Sequence, residues 1–132
     1  MKQPVSIGLL VGISGLFLTC PQPGLAADGS QEISTAAVHA GMAASAPDLK
    51  MINAHLHHVV NCLVGPASAD FDPAQANPCN GQGNGAMKDS PDKQAVLAAA
   101  LTLAKSGIAQ SDAEKAKAIA AEVQTALKKA GM

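Results

Sequence analysis

The chain of 132 residues contains no Arg, Trp or Tyr and only two Phe. Without Arg, and with a net charge of −1, it lacks the basic surface that nucleic-acid binding needs. So few aromatic rings exclude a stacking platform for bases or sugars. No C-x-x-C-H motif occurs, which excludes covalent c-type haem. The chain is instead rich in alanine, with 27 alanine residues. Because alanine is the strongest helix former, this composition predicts a small helical protein.

The N-terminus has the layout of a secretory signal peptide. Lys2 precedes an apolar run from Val5 to Leu18, and small residues stand at Ala26 and Ala27. The run of about 14 residues is shorter than the roughly 20 that a membrane-spanning helix needs. We therefore expect residues 1–27 to be removed and residues 28–132 to form one domain. The expected location is periplasmic or secreted, with no membrane span.

The cysteines support an exported protein. Cys20 lies in the signal segment, and its acylation as a lipoprotein is the less favoured alternative because Thr19 stands where lipoproteins carry a smaller residue. Cys62 and Cys79 then remain, and two cysteines in an exported domain most economically form one disulfide. Closing this loop is expected to stabilise the fold by about 3 kcal/mol.

Start and stop signals delimit four helical segments. Each begins at a serine that is a potential N-cap, and the last three end near a glycine. The predicted segments are Ser34–Ser45, Ser45–Val64, Ser90–Gly107 and Ser111–Gly131. No strand pattern competes, so the predicted fold is all-α, a small antiparallel four-helix bundle.

A long loop, residues 65–89, separates the second and third predicted helices. Loops of this length without structure of their own are uncommon and are usually functional or disordered. The Cys62–Cys79 pair is expected to tether it to the end of the second helix. Phe71 is the single aromatic residue after the signal segment, and we expect it to anchor the loop on the bundle.

All four histidines lie in the first two predicted helices. Met51, His55 and His58 are spaced i, i+4, i+7, so they form one stripe of the second helix. His57 lies on the other flank, and His39 is expected to meet the stripe from the first helix. Imidazole suits zinc, copper and nickel, and a thioether favours cuprous copper. This pattern indicates a metal site, with His55 and His58 as the primary ligands.

A purely structural interpretation of these side chains stays open. Two histidines on a helix flank need no ligand, and methionines such as Met42 and Met51 often fill gaps in a core that is poor in aromatics. If Cys62 is in a disulfide, it is not a thiolate ligand.

The architecture resembles two families of exported helical bundles. His39, Met42, Met51, His55 and His58, set in alanine-rich helices, are similar to the pattern of the periplasmic small metal-binding proteins and of cytochrome b562. The resemblance implies a bundle that holds a transition metal or haem b between its helices. It departs from both families because the third and fourth helices carry no histidine, and neither family explains the glycine-rich loop.

The sequence thus predicts a non-enzymatic exported protein that binds copper, nickel, zinc or haem b. An alternative is an interaction protein of the cell envelope, which uses the tethered loop to recognise a protein partner. A third and less favoured interpretation is an enzyme with His57 or His58 as general base, for which no partner residue is visible.

Overall fold

The computed structural model describes residues 27–132, and the predicted signal peptide therefore lies almost entirely outside the described residues. This part of the chain is all-helical, with five α-helices where the sequence predicted four. They are α1 (Ser30–Ser45), α2 (Leu49–Val64), α3 (Ala86–Asp89), α4 (Gln94–Ile108) and α5 (Ala113–Ala130). None of these helices is long and apolar enough to cross a membrane.

Helix α1 begins four residues before the predicted start at Ser34. The Asp28 side chain accepts a hydrogen bond from the backbone N–H of Ser30, and Ile33 N–H already donates to the Gly29 carbonyl. Ser34 is therefore inside the helix, and its predicted role as N-cap is wrong. The aspartate two residues before the helix supplies the acceptor that the first turn needs.

Aspartates also replace serines as the caps of α2 and α5. The Asp48 carboxylate accepts from Met51 N–H at 2.8 Å, and the Asp112 carboxylate accepts from Lys115 N–H at 3.0 Å. Ser45, predicted to cap α2, instead bonds back to the Gly41 carbonyl in the last turn of α1. Each cap thus lies where the chain turns, and the acid there also suits the positive end of the helix dipole.

The segment before α4 is more broken than the sequence predicted. Ala86–Asp89 forms the short helix α3 inside the predicted loop, and Pro91–Lys93 forms a 3₁₀ turn before α4 begins. At the other end, α4 continues through Gly107 to Ile108. A Cβ at Gly107 would lie 2.7 Å from Leu56 Cδ1, so this glycine allows α4 to approach α2 closely.

Each long helix packs mainly against two others: α1 against α2 and α5, and α4 against α5 and α2. The core is made of small and aliphatic side chains, as the composition requires. Its largest fully buried apolar members are Ile33, Ile52, Leu56, Leu63, Leu97 and Leu127. A three-residue turn (Ala46–Asp48) joins α1 to α2, which places the two helices side by side.

The Cys62–Cys79 disulfide is present and ties the loop to the last turn of α2. Gly65, which ends α2, has φ 72°, and a Cβ there would lie 1.9 Å from the Asn84 carbonyl oxygen. The two ends of the loop therefore meet at a point where only glycine fits. Phe71 is only half-buried and is not part of the core. The loop is held by other residues.

Candidate metal centre

The α1–α2 hairpin brings three of the four histidines together. His39 stands seven residues before Ala46, and His55 stands seven residues after Asp48. Because the connecting turn is short, residues at equal distances from it face each other across the two helices. His58 lies one turn beyond His55 on the same face of α2. The hairpin therefore directs His39 towards both histidines of the predicted stripe.

The ring nitrogens converge on one point. His39 Nδ1 lies 3.3 Å from His58 Nδ1 and 3.4 Å from His55 Nδ1. The candidate ligand atoms of all three residues lie within 4.8 Å of one another. A tetrahedral ion with metal–nitrogen bonds of about 2.0–2.1 Å has ligand nitrogens about 3.3–3.4 Å apart. Two edges of the cluster thus already have the length that such an ion requires.

Two of the three ring pairs pack edge to face, and the third pair, His39 and His55, is tilted by 44°. The planes of His39 and His58 cross at 84°, and those of His55 and His58 cross at 82°. Their centroids are 5.0 to 5.6 Å apart. Different ring planes allow lone pairs from three directions to meet, which a tetrahedral or trigonal ion needs and a parallel stack does not provide.

The environment favours the neutral form of two of these imidazoles, His39 and His58. Burial, and secondarily the neighbouring His58 and His55, lower the pKa of His39. Burial and then His55 and His57 lower the pKa of His58. Only a neutral imidazole can donate its lone pair to a metal. The lowered pKa values of His39 and His58 therefore favour the form that binds a metal.

Two other predicted site residues, His57 and Met51, are not among the three converging imidazoles. His57 faces the loop, where its Nδ1 lies 3.5 Å from an Asp72 carboxylate oxygen. Met51 belongs to the same stripe as His55 and His58 but is 43% exposed. Met42 on α1 is also 43% exposed, so neither methionine fills a gap in the core. The structural interpretation of these methionines is thus wrong.

The cysteines contribute no ligand. Cys62 continues the stripe one turn beyond His58, but its sulfur is bonded to Cys79. No Asp, Glu or Cys joins the three histidines in a ligand group anywhere in residues 27–132. Among the His, Cys, Asp and Glu side chains of these residues, the ligand group therefore consists of three imidazoles.

The sequence analysis missed Asn61, the residue that organises the loop beside this site. Asn61 is fully buried. Its amide oxygen accepts from Asp72 N–H at 2.9 Å, and its amide nitrogen donates to the Asp72 and Ala76 carbonyls. A polar residue adjacent to the bridging Cys62 was the available signal.

The sequence analysis also missed Glu32, which is only 1% exposed. Its Oε1 accepts from Gly85 N–H at 2.8 Å, which fixes the far end of the loop on α1. Burial raises the pKa of this carboxyl, and the nearby Asp89 raises it further. Thr35 adds a hydrogen bond to the Gln82 side chain. The loop is thus held by side chains from both α1 and α2.

Comparison with known protein families, with characterised proteins and with solved structures finds no match to this chain. The resemblance to metal-binding bundles gains no support from relatives. Function has to be derived from the geometry of the site.

Proposed function

We propose that this chain is an exported helical-bundle protein that binds one transition metal ion through His39, His55 and His58. The observation that carries the proposal is the convergence of the three ring nitrogens, two pairs of which are 3.3 and 3.4 Å apart. Three histidine ligands leave the fourth position of a tetrahedral ion for a further donor. The proposed function is binding, without catalysis.

An ion fits this site better than haem b. The nitrogens point at one another across the interface between α1 and α2, with ring centroids 5.0 and 5.6 Å apart between the helices. A porphyrin ligated here would need a flat slot between the two helices, and small alanines pack α1 against its neighbours instead. Convergence on a point therefore favours a bare ion.

Export is supported by the disulfide and by the sequence of the first residues. The structure contains a Cys62–Cys79 disulfide. Disulfides persist in oxidising compartments and are rare in the cytosol. The charged and apolar pattern of residues 1–27 is that of a signal for secretion. We propose a periplasmic or secreted location on these two grounds.

The test is a calorimetric titration of tag-free protein, with the disulfide intact, against Zn(II), Cu(II) and Ni(II). The decisive variant is His39→Ala/His58→Ala. His57→Ala is the matched control, because His57 neighbours His58 in sequence but faces Asp72. We expect one ion per chain for the wild type and for His57→Ala. Because each histidine is a direct donor, the double variant should lose at least about 100-fold in affinity.

Equal affinities of the wild type and the double variant for all three ions would overturn the proposal. So would a loss of affinity in His57→Ala as large as that in the double variant. Circular dichroism of each protein checks that helix content is retained before the affinities are compared.

A second function, recognition of an envelope protein by the loop, is favoured by the way the loop is held. Asn61, Glu32 and the disulfide fix its path, while Ala74 and Asn80 remain exposed. A photo-crosslinking residue at position 74 should capture a defined partner in cells, whereas the same residue at exposed position 121 on α5 should not. Equal labelling at both positions would contradict this function.

A further inference from the structure

We infer that the ion is cuprous copper and that the thioether of Met51 is its fourth donor. This inference rests on the proposed metal site and names its ligand set and preferred ion. It follows from three properties of the α1–α2 hairpin, namely the register of Met51, the exposure of its side chain and the lack of charge among the donors.

The register places Met51 beside the histidines. It precedes His55 by four residues and His58 by seven, so all three side chains share one face of α2. Met51 and His55 are separated by about 6 Å along the helix axis. A methionine side chain has three rotatable bonds and adapts its shape readily, so its sulfur is able to reach the ion from the neighbouring turn.

The exposure of Met51 shows that packing does not account for it. The side chain is 43% exposed, whereas Leu56 and Ile52 on the neighbouring face of α2 are fully buried. A large apolar side chain kept half in solvent, on the same face of α2 as His55 and His58, gains little from burial. Its sulfur is the one feature that a leucine at this position would lack.

The donors carry no charge, and this favours a monovalent ion. The site offers three imidazoles and a thioether, and no carboxylate or thiolate joins the group in residues 27–132. A dication with neutral ligands keeps its full double charge at this half-buried site, and moving charge out of water is costly. Cu(I) carries half that charge, and as a soft ion it prefers thioether ligands.

Met42 supplies a matched control within the same hairpin. It is also 43% exposed, and it lies one turn from His39. However, its side chain borders the groove between α1 and α5, together with Val38 and Gln124. Met42 therefore shares the chemistry and exposure of Met51 without its place on the histidine stripe.

The experiment measures Cu(I) affinity under anaerobic conditions by competition with a chromophoric Cu(I) chelator. It compares the wild type, Met51→Leu and Met42→Leu, and it repeats the comparison with Zn(II). Mutation of a residue that only hydrogen-bonds to a metal ligand typically lowers metal affinity by about 10–100-fold. Loss of a direct donor in Met51→Leu should therefore weaken Cu(I) binding at least about tenfold. Met42→Leu should bind Cu(I) like the wild type, and Zn(II) affinity should be unchanged in both variants.

X-ray absorption at the copper edge gives a second measurement. The wild type and Met42→Leu should show a sulfur neighbour of Cu(I), and Met51→Leu should show nitrogen neighbours alone. Wild-type Cu(I) affinity in Met51→Leu, or an equal loss in both variants, would overturn the inference. If His39→Ala/His58→Ala binds Zn(II) as the wild type does, the proposed function itself fails. Histidine-dependent Zn(II) binding together with wild-type Cu(I) affinity in Met51→Leu refutes only the copper assignment.

Discussion

The two long helical hairpins of this protein, α1–α2 and α4–α5, differ in the side chains that lie between their helices. Between α4 and α5 the buried residues are apolar or alanine, among them Leu97, Ala104 and Val123, and the charged side chains lie outside. Between α1 and α2, three half-buried histidines meet at the interface. The α4–α5 hairpin shows that an alanine-rich sequence packs without polar groups. Polar side chains are therefore not a general requirement of helix packing in this protein, and the convergence of the histidines in α1–α2 calls for another explanation.

The largest expected effect separates folding from binding. Leu97→Ala in α4 removes a fully buried side chain and should lower the free energy of unfolding by about 2–5 kcal/mol. Because Leu97 belongs to the other hairpin, the metal affinity of the folded protein should not change. Chemical denaturation gives the first quantity and calorimetry the second. A parallel loss of metal affinity would mean that the two hairpins do not act independently.

Removal of the disulfide tests how strongly the loop supports α1–α2. Cys62→Ala/Cys79→Ala should lower the free energy of unfolding by about 3 kcal/mol, because the unfolded chain regains the freedom of the open loop. The measurement is thermal unfolding of the variant against the wild type. Adding a reductant should lower the melting temperature of the wild type and leave the variant unaffected.

Asn61→Ala should cost about 1–3 kcal/mol, because Asp72 N–H and the Asp72 and Ala76 carbonyls lose a buried partner. Amide hydrogen exchange should then speed up at Asp72 and neighbouring loop residues while protection in α4 and α5 persists. Asn53→Ala is the comparison variant, since Asn53 lies on the same helix and makes no side-chain hydrogen bond to the loop. Similar exchange in both variants would show that Asn61 does not hold the loop.

The smallest expected effect concerns pH. Burial lowers the pKa of His39 and His58 below the usual 6.5, so the unfolded chain binds protons more tightly than the folded one. Their contribution to stability is therefore present above pH 6.5 and is lost as pH falls through the folded-state pKa values. Urea denaturation of metal-free protein between about pH 7.5 and 5 should show this loss.

His39→Gln/His58→Gln should flatten that dependence. Glu32 affects the pH dependence of stability in the opposite direction. Because its pKa is raised, its contribution to the free energy of unfolding is greatest at low pH and becomes smaller as pH rises. Because Glu32 is present in both proteins, the difference between their pH profiles isolates the histidines. Identical profiles would contradict the lowered pKa values.

The candidate ligands were predictable because their signals are local. The spacing along α2 places His55 and His58 on one face of the helix. The short turn at Ala46–Asp48 brings His39 of α1 opposite them. The disulfide followed from the count of cysteines. The starts of the helices were less predictable, because serine and aspartate are both good N-caps. In the structure the carboxylates of Asp48 and Asp112 accept the capping hydrogen bonds.

The way the loop is held was not predictable from local pattern. Glu32 contacts Gly85, 53 residues further along the chain, and Thr35 contacts Gln82 across 47 residues. Such contacts exist only once the helices have assembled, and no periodicity of the sequence encodes them. The exposure of Met51 likewise depends on where the neighbouring helices end, which helical spacing alone does not fix.

The bonds of Asn61 have an evolutionary consequence. This side-chain amide forms hydrogen bonds with main-chain atoms of the loop, namely the N–H and carbonyl of Asp72 and the carbonyl of Ala76. None of these bonds involves a loop side chain. Side chains at exposed loop positions such as Ala74 can therefore diversify while the path of the chain is preserved. Natural variation should accordingly concentrate on the outer surface of the loop, while Asn61, Gly65 and the two bridging cysteines stay constant.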